Sequence, residues 1–318
     1  MRHGWPIAAL LCATLVAACG SAGEPPPDSS LGSTTIQRDA GNARTALTIG
    51  SKNFTEQRVL GEIYAQGLQA AGYTVKKDLN LGDEHRALAA LKTGEISAYP
   101  EYTGTALLSF FGRKADELPK DPAAAYDEAK REFASEGLTA FPPTPFTSSN
   151  EVAVTADTAE RLHLTNISDL AGKAQKLTLY GAPECRERLD CLLGLEQIYG
   201  LHFKKFVAVP IPQRHRVLSS GVADVSIVFT TDPQIQRENE VLLDDDKGMF
   251  PPYNSTLVVR KEVADKAGAD LEKTVGLLQE QLTDENMQEL NARVDLDKKD
   301  PGEVAKEYLE ETGLVAAG

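Results

Sequence analysis

The sequence predicts an α/β protein of two lobes, each with a mainly parallel sheet, and a ligand cleft between the lobes. Short apolar runs typical of strands alternate with segments of helical periodicity from residue 46 onward. The body of about 270 residues is also large for a single hydrophobic core. Proline-rich segments at 142–150 and 250–253 mark the places where we expect the chain to cross between lobes.

The N-terminal 45 residues predict export and anchoring. Residues 1–18 carry an uncharged apolar run after Arg2 that is shorter than the about 20 residues of a membrane span, which is typical of a signal peptide. The run ends in Val-Ala-Ala-Cys-Gly, which looks like a bacterial lipobox, so we predict that Cys19 is lipidated and holds the protein at the outer face of the cytoplasmic membrane. The alternative is an ordinary signal peptide with a chance cysteine. Residues 19–45 are rich in proline, serine and glycine, which predicts a flexible tether.

The first lobe is predicted over residues 46–147. Strands are expected at Leu47–Gly50, Tyr73–Leu79, Ile96–Tyr99 and Leu138–Phe141, and helices at Glu56–Ala70, Asp83–Lys92 and Pro122–Ser135. We expect Asn53 or Thr55 to cap the first of these helices.

The second lobe is predicted over residues 148–248, and residues 249–318 return to the first lobe. Strands of the second lobe are expected at Val152–Thr155, Lys176–Tyr180, Phe206–Val209 and Val225–Phe229. The return segment is predicted to contain a strand at Thr256–Val259 and then helices through 261–315.

The composition argues against several classes of partner and activity. A formal net charge of −14 disfavours nucleic acid and anionic lipid headgroups as ligands. The sequence contains no G-x-S-x-G, no phosphate-binding glycine loop and no histidines at metal-ligand spacing, so we expect no enzyme activity, cofactor or metal. The acidic run 244–246 lacks the spacing of a calcium loop and is interpreted as a solvated turn.

Two cysteines of the folded body lie six residues apart. In an oxidising compartment Cys185 and Cys191 are predicted to form a disulfide, with metal binding as the alternative. The loop that this bond would close carries Arg186 and Arg188, so the bond is expected to make their surroundings rigid.

Two motifs follow predicted strands and carry the candidate chemistry. The motif at 50–57 reads G-S-K-N-F-T-E-Q, and the motif at 99–105 reads Y-P-E-Y-T-G-T. Ligands of open α/β sheets bind outside the carboxyl ends of the strands. A lysine, a tyrosine and a threonine gathered there predict a small ligand with an anionic end and an apolar body.

Both motifs resemble those of the osmoprotectant-binding proteins of ABC importers, which capture glycine betaine, choline and carnitine. The resemblance covers roughly residues 46–315 and implies a type II periplasmic-binding-protein fold. It also implies an aromatic box for a quaternary ammonium group and a clamp of lysine, arginine and hydroxyl for a carboxylate. The matching positions here are Lys52, Tyr102, Thr105, Arg188, Phe229 and Tyr253, with Arg186 as the alternative to Arg188.

One position of the implied box departs from the family pattern. Many relatives have an aromatic residue where this chain has Asn150, so Asn150 is predicted to form the fourth wall. Loss of one ring predicts affinity lowered by up to about 30-fold relative to a four-ring box, and Asn150→Tyr should then tighten binding. Alternatively, Asn150 bonds a ligand hydroxyl or amide and favours carnitine-like or less methylated solutes.

The resemblance also implies the partners. We expect a monomer that delivers its ligand to an ABC permease and its ATPase on separate chains, or the same clamp acting as a sensor or scavenger. Carboxylated betaines rank first among ligands, because choline would leave Lys52 and Arg188 unpaired.

Overall fold

The computed structural model describes residues 35–114 and 117–316, and the strands found there form two sheets of five. The strands are β1 (Ala46–Gly50), β2 (Thr74–Asp78), β3 (Ala98–Tyr102), β4 (Leu138–Ala140), β5 (Asn150–Thr155), β6 (Thr178–Gly181), β7 (Lys205–Ala208), β8 (Val225–Phe229), β9 (Glu240–Leu243) and β10 (Ser255–Arg260). The order in the first sheet is β2-β1-β3-β10-β4, and in the second it is β7-β6-β8-β5-β9.

Each sheet is mixed, with four strands in one direction and one strand against them. In the first sheet β10 runs antiparallel to β3 and β4, whereas β1 is parallel to β2 and β3. In the second sheet β5 runs antiparallel to β8 and β9, whereas β6 is parallel to β7 and β8. The reversed strands β5 and β10 are the first strands after each crossing between lobes. The predicted two-lobed α/β fold is confirmed.

Helices cover the sheets. The α-helices are α1 (Thr55–Ala70), α2 (Glu84–Thr93), α3 (Thr103–Thr105), α4 (Pro122–Ser135), α5 (Ala156–Leu162), α6 (Leu192–Gln197), α7 (Arg214–Ser219), α8 (Gln234–Arg237), α9 (Lys261–Ala267), α10 (Ala269–Glu280), α11 (Asp284–Asp295) and α12 (Pro301–Glu311). No helix among these residues is long and apolar enough to cross a membrane.

The first sheet is buried on both faces, and alternate residues of a strand join opposite cores because successive side chains point to opposite faces. Along β10, Leu257 and Val259 join the core formed with α1 and the C-terminal helices. Val258, between them, joins the core on the opposite face with Leu91 of α2 and Phe133 of α4. The strand ends are therefore held rigidly from both sides.

The start of α1 differs from the prediction. Its N-cap is Phe54, which makes no side-chain capping bond, so neither Asn53 nor Thr55 is the cap. The Thr55 hydroxyl donates instead to Asp295 Oδ1 of α11 at 2.6 Å. A tertiary contact has thus replaced the local cap, and the Phe54 ring faces the region between the lobes.

The folded body begins before residue 46. Ile36 is buried, and its N–H donates to the carbonyl of Leu314 at 2.8 Å. A 3-10 helix follows at Ala40–Arg44, and Asn42 Nδ2 donates to the carbonyl of Ala71 at 3.0 Å. The last part of the predicted tether is therefore packed on the first lobe. The predicted signal peptide, Cys19 and the tether up to residue 34 lie outside the described residues. The lobe boundaries stay a prediction.

Candidate ligand-binding site

Strand ends of both sheets meet at a cavity of about 50 Å³. Lys52 follows β1, Tyr102 ends β3 and Phe229 ends β8. Asn150 begins β5 and lies opposite Phe229 in the register, and Tyr253 just precedes β10. The lining residues are Lys52, Asn53, Phe54, Asp83, Glu84, Tyr102, Thr105, Ser148, Asn150, Glu184, Arg188, Ile211, Phe229 and Tyr253. The structure thus brings together all seven residues predicted as ligand contacts.

Lys52 is buried and ion-paired within the first lobe. Its Nζ bonds Glu101 Oε1, and the Glu101 side chain is fully buried. Glu101 also accepts from the Tyr99 hydroxyl at 3.0 Å and from the backbone N–H of Tyr102 at 2.7 Å. Lys52 Nζ lies 4.5 Å from the centroid of the Tyr102 ring. The lysine charge is therefore balanced by a protein carboxylate.

Tyr102 presents its ring to the cavity and turns its hydroxyl into the lobe. The hydroxyl donates to Glu56 Oε1 at 2.6 Å. Burial raises the pKa of Tyr102 well above its usual range, and the nearby Glu56 carboxylate raises it further. The phenol therefore stays protonated, and its ring is the part available to a ligand.

Arg188 is the arginine at the cavity, and it bonds carboxylates of both lobes. Its Nε and Nη2 donate to Asp190 at 2.8 and 2.6 Å, and its Nη1 donates to Glu84 Oε1 at 2.6 Å. Glu84 begins α2 of the first lobe, whereas Arg188 follows β6 of the second. Arg186 is exposed and packs over the Phe206 ring at 4.5 Å, outside the cavity lining.

Asp190 is the buried acceptor on which several site residues converge. Besides Arg188, it accepts from the Tyr253 hydroxyl and from Asn150 Nδ2, the latter at 3.0 Å. Burial would raise the pKa of Asp190, but Arg188 and the Tyr253 hydroxyl outweigh burial and hold it below its usual range. Asn150 therefore positions the Asp190 carboxylate, and Asp190 in turn positions Arg188.

Phe54 is an aromatic wall that the sequence reasoning missed. Its ring centroid lies 5.4 Å from that of Phe229 and 6.3 Å from that of Tyr102. Phe54 belongs to the same motif as Lys52, so the motif itself carries the signal for this second contact. The Phe54 ring thus adds aromatic surface to a box in which Asn150 supplies none.

The carboxylates that hold the clamp residues were also missed. Glu101 lies inside the motif at 99–105 and Asp190 lies two residues after Arg188, so both were within reach of the sequence argument. Glu84 gave no such signal, since its contact with Arg188 spans 104 residues and depends on the packing of the two lobes.

A buried ionic cluster lies behind Phe229. Arg214 Cζ sits 4.5 Å from the Phe229 ring centroid, and its guanidinium bonds both oxygens of Asp232. His215 bridges Asp232 and Glu240, each at 2.9 Å. Although burial lowers the pKa of His215, these two carboxylates outweigh it and raise the pKa. Within the described residues, no group of three or more His, Cys, Asp or Glu side chains is arranged to hold a metal ion.

The predicted disulfide between Cys185 and Cys191 is confirmed, with the two Cα atoms 5.1 Å apart. Both cysteines are buried in the core of the second lobe. The loop that they close contains Arg188 and Asp190, so the bond ties the clamp residues to that core.

Two α/β lobes with a cavity between their strand ends are the architecture of a two-lobed solute-binding protein. A glycine-betaine-binding protein of Pseudomonas aeruginosa is 34% identical over 283 residues, which cover 86% of this chain and 89% of that one. The carnitine transport binding protein OpuCC of Listeria monocytogenes is 29% identical over 85% of this chain and 88% of its own.

The family assignment rests on a match over most of the chain. Residues 45–311 match the substrate-binding domain of the ABC-type glycine betaine transport system, and the chain belongs to this family. The crystal structure of a glycine betaine/carnitine/choline ABC transporter protein superposes with a TM-score of 0.67 at 26% identity, over 84% of this chain and 99% of that one.

Proposed function

We propose that this protein is an extracytoplasmic, lipid-anchored receptor that captures a quaternary ammonium osmoprotectant of the glycine betaine type and delivers it to a separate ABC permease. The observation that carries the proposal is that seven residues, assigned from separate motifs, line one cavity between the lobes. The family match over residues 45–311 supports a role in an ABC-type import system. The lipobox ending at Cys19 supports the anchor.

The aromatic residues of the cavity suit a trimethylammonium group. Such a group has no N–H to donate, so hydrogen-bond acceptors gain little from it, whereas aromatic faces attract it by about 0.5–2 kcal/mol per ring when water is excluded. Phe54, Tyr102, Phe229 and Tyr253 supply the rings. The hydroxyls of Tyr102 and Tyr253 donate to Glu56 and Asp190, which fixes the orientation of both rings.

Lys52 and Arg188 are the candidate partners of a ligand carboxylate, with Thr105 as the neighbouring hydroxyl. Lys52 belongs to the first lobe and Arg188 to the second, so a ligand that contacts both is bound best when the lobes are together. The closed arrangement is then the signal that a permease recognises.

The test is calorimetric titration of the full chain, purified in detergent, with glycine betaine, carnitine, proline betaine, choline and glycine. We expect saturable binding of at least one quaternary amine and none of glycine, which lacks the methyl groups. Phe229→Ala should weaken that binding by about 2- to 30-fold, the range given for one ring.

The matched control is Phe110→Ala, because Phe110 is also a partly buried phenylalanine but lies outside the cavity. It should leave the affinity unchanged. Failure of all the quaternary amines to bind the folded wild-type protein, or an equal loss in both variants, would overturn the proposal.

A further inference from the structure

Asn291 lies outside the cavity lining, yet its side chain bonds residues of both lobes. It belongs to α11 of the first lobe and is only 3% exposed. We infer that Asn291 is a positioning residue for the ligand site, which fixes the Tyr102 ring in the first lobe and the turn after Phe229 in the second. The inference rests on the proposed function and adds a residue that acts on the aromatic box without touching the ligand.

The amide of Asn291 is a fixed donor, because α11 is packed into the first lobe. Met287 and Leu290 of this helix join the core of that lobe. Asn291 Nδ2 donates to Glu56 Oε2 at 2.9 Å and to the carbonyl of Thr231 at 3.2 Å. An amide nitrogen has two N–H donors, so these two bonds use both of them. One side chain thus bonds a residue of each lobe.

In the first lobe, Asn291 acts on Tyr102 through Glu56. Glu56 is buried in the first turn of α1, and its Oε1 accepts from the Tyr102 hydroxyl at 2.6 Å. Its Oε2 accepts from Asn291. The Glu56 carboxylate is therefore held between the two side chains, and loss of the amide frees it to turn away from the Tyr102 hydroxyl. This gives a role to a residue of the motif at 50–57 that the proposed clamp does not use.

In the second lobe, Asn291 bonds the turn that follows Phe229. Thr231 is buried, and its hydroxyl forms a hydrogen bond of 3.0 Å with that of Ser148, which lines the cavity. The turn is closed by Asp232, whose Oδ2 accepts from the backbone N–H of Phe229 at 2.9 Å. The N–H of Asp232 donates to the carbonyl of Phe229, also at 2.9 Å. Asn291 therefore bonds a well-defined turn that carries the Phe229 wall.

Packing alone does not account for an amide at this position. Asn291 Oδ1 is buried and accepts no hydrogen bond from the described residues. A buried acceptor without a donor costs free energy, so the amide is not the side chain that packing by itself favours. What the amide contributes is the pair of bonds from Nδ2, and both lead to walls of the cavity.

The bond to Thr231 joins α11 of the first lobe to the second lobe, so it exists only while the lobes are together. A ligand held between the rings of both lobes favours the same arrangement. Loss of the amide should therefore weaken ligand binding by about tenfold, the effect of one hydrogen bond to a charged group.

The test is a double-mutant cycle between Asn291 and Tyr102. The full-length proteins are titrated calorimetrically with glycine betaine, carnitine, proline betaine and choline. Asn291→Leu removes both donors at similar volume, and Tyr102→Phe keeps the ring but removes the hydroxyl that bonds Glu56. We expect Asn291→Leu to weaken binding by about tenfold in the wild type and by about threefold or less in Tyr102→Phe, because Glu56 no longer holds the ring there. A purely structural role would weaken binding equally in both backgrounds.

Gln288→Leu is the matched control. Gln288 lies one turn earlier on the same face of α11, and its amide donates to the carbonyl of Thr230 at 3.2 Å rather than to Glu56. Any effect of this change on the affinity should therefore be the same in the wild type and in Tyr102→Phe.

Asn291→Ala is a smaller second variant, and the same dependence on Tyr102 is expected of it if Asn291→Leu does not fold. Equal weakening in both backgrounds, or an unchanged affinity in the folded Asn291 variant, would overturn the inference and leave the proposed function standing. A folded wild type that binds none of the four quaternary amines would overturn the proposed function and this inference with it.

Discussion

Asn150 acts on the site through its neighbours. Its amide donates to the carbonyl and to the side chain of Asp190, at 3.1 and 3.0 Å, and Asp190 holds Arg188 and Tyr253. Asn150→Tyr, which the sequence predicts to tighten binding by adding a ring, also removes these two hydrogen bonds. Phe54 already supplies a ring close to Phe229. The affinity change in that variant is thus the sum of two opposing effects.

Glu151, the next residue along β5, is a half-buried carboxyl without a cationic partner in the described structure. Burial, followed by Asp245 and Asp244, raises its pKa to about 7 from an ordinary value of 4.5. A carboxyl with a raised folded-state pKa contributes stability below pH 4.5, and this contribution is lost as the pH rises through 7.

We therefore expect Glu151→Gln to raise the free energy of unfolding at pH 8.5 by about 1–3 kcal/mol and to leave it nearly unchanged at pH 4.5. Urea denaturation at the two pH values measures the difference. Glu280→Gln, at an exposed position at the end of α10, should show no such pH dependence. Equal effects at both pH values would argue against ionisation of Glu151 as the cause.

At the scale of elements, the sequence predicts those elements that carry a strong local signal. The helix at Pro122–Ser135 and the strand at Val225–Phe229 have the predicted bounds. The strand β9 was not predicted, because the four residues Glu240–Leu243 show no alternation and are ordered by pairing with β5. The cap at Phe54 was missed for a similar reason, since Thr55 bonds α11, more than 200 residues away.

The disulfide loop between β6 and α6 is the element that carries Arg188. Replacing Cys185 and Cys191 together by alanine should lower the free energy of unfolding by about 2 kcal/mol, since the closed loop is short. We also expect weaker binding of the ligand, because Arg188 and Asp190 are no longer tied to the core at both ends of the loop.

Thermal unfolding and titration of the double variant measure both effects. Dithiothreitol should affect the wild type in the same direction and leave the double-alanine variant unchanged. Equal affinities in the oxidised wild type and the variant would show that the loop keeps its geometry without the bond.

At the scale of the whole molecule, the lobes are joined by contacts on several sides of the cleft. Lys120 Nζ donates to the carbonyl of Gly248 at 2.6 Å, and Asn291 Nδ2 donates to the carbonyl of Thr231 at 3.2 Å. Arg188 and Glu84 add an ion pair between the lobes. None of these pairs was predictable from the sequence, since each depends on how the two lobes pack against each other.

Because the cavity is lined by both lobes, ligand binding should stabilise the entire body. We expect glycine betaine at about 100 times its dissociation constant to add about 2.7 kcal/mol to the free energy of unfolding. Differential scanning calorimetry should then show both lobes shifting to higher temperature together, and Arg188→Ala should reduce the shift at the same ligand concentration. A shift of one lobe alone would contradict a site shared between them.

The path of the chain has a consequence for rearranging the protein. The two crossings run side by side, with an antiparallel bridge between Thr147 and Asn254, and the second sheet is built entirely from the segment between them. The ends of the first lobe meet where Ile36 bonds Leu314. A circular permutant would join the ends near Ile36 and Leu314 by a short linker and open the chain near Pro252. Each lobe would then be one uninterrupted stretch of polypeptide. The two lobes would be linked by one connection instead of two, and neither sheet would be broken.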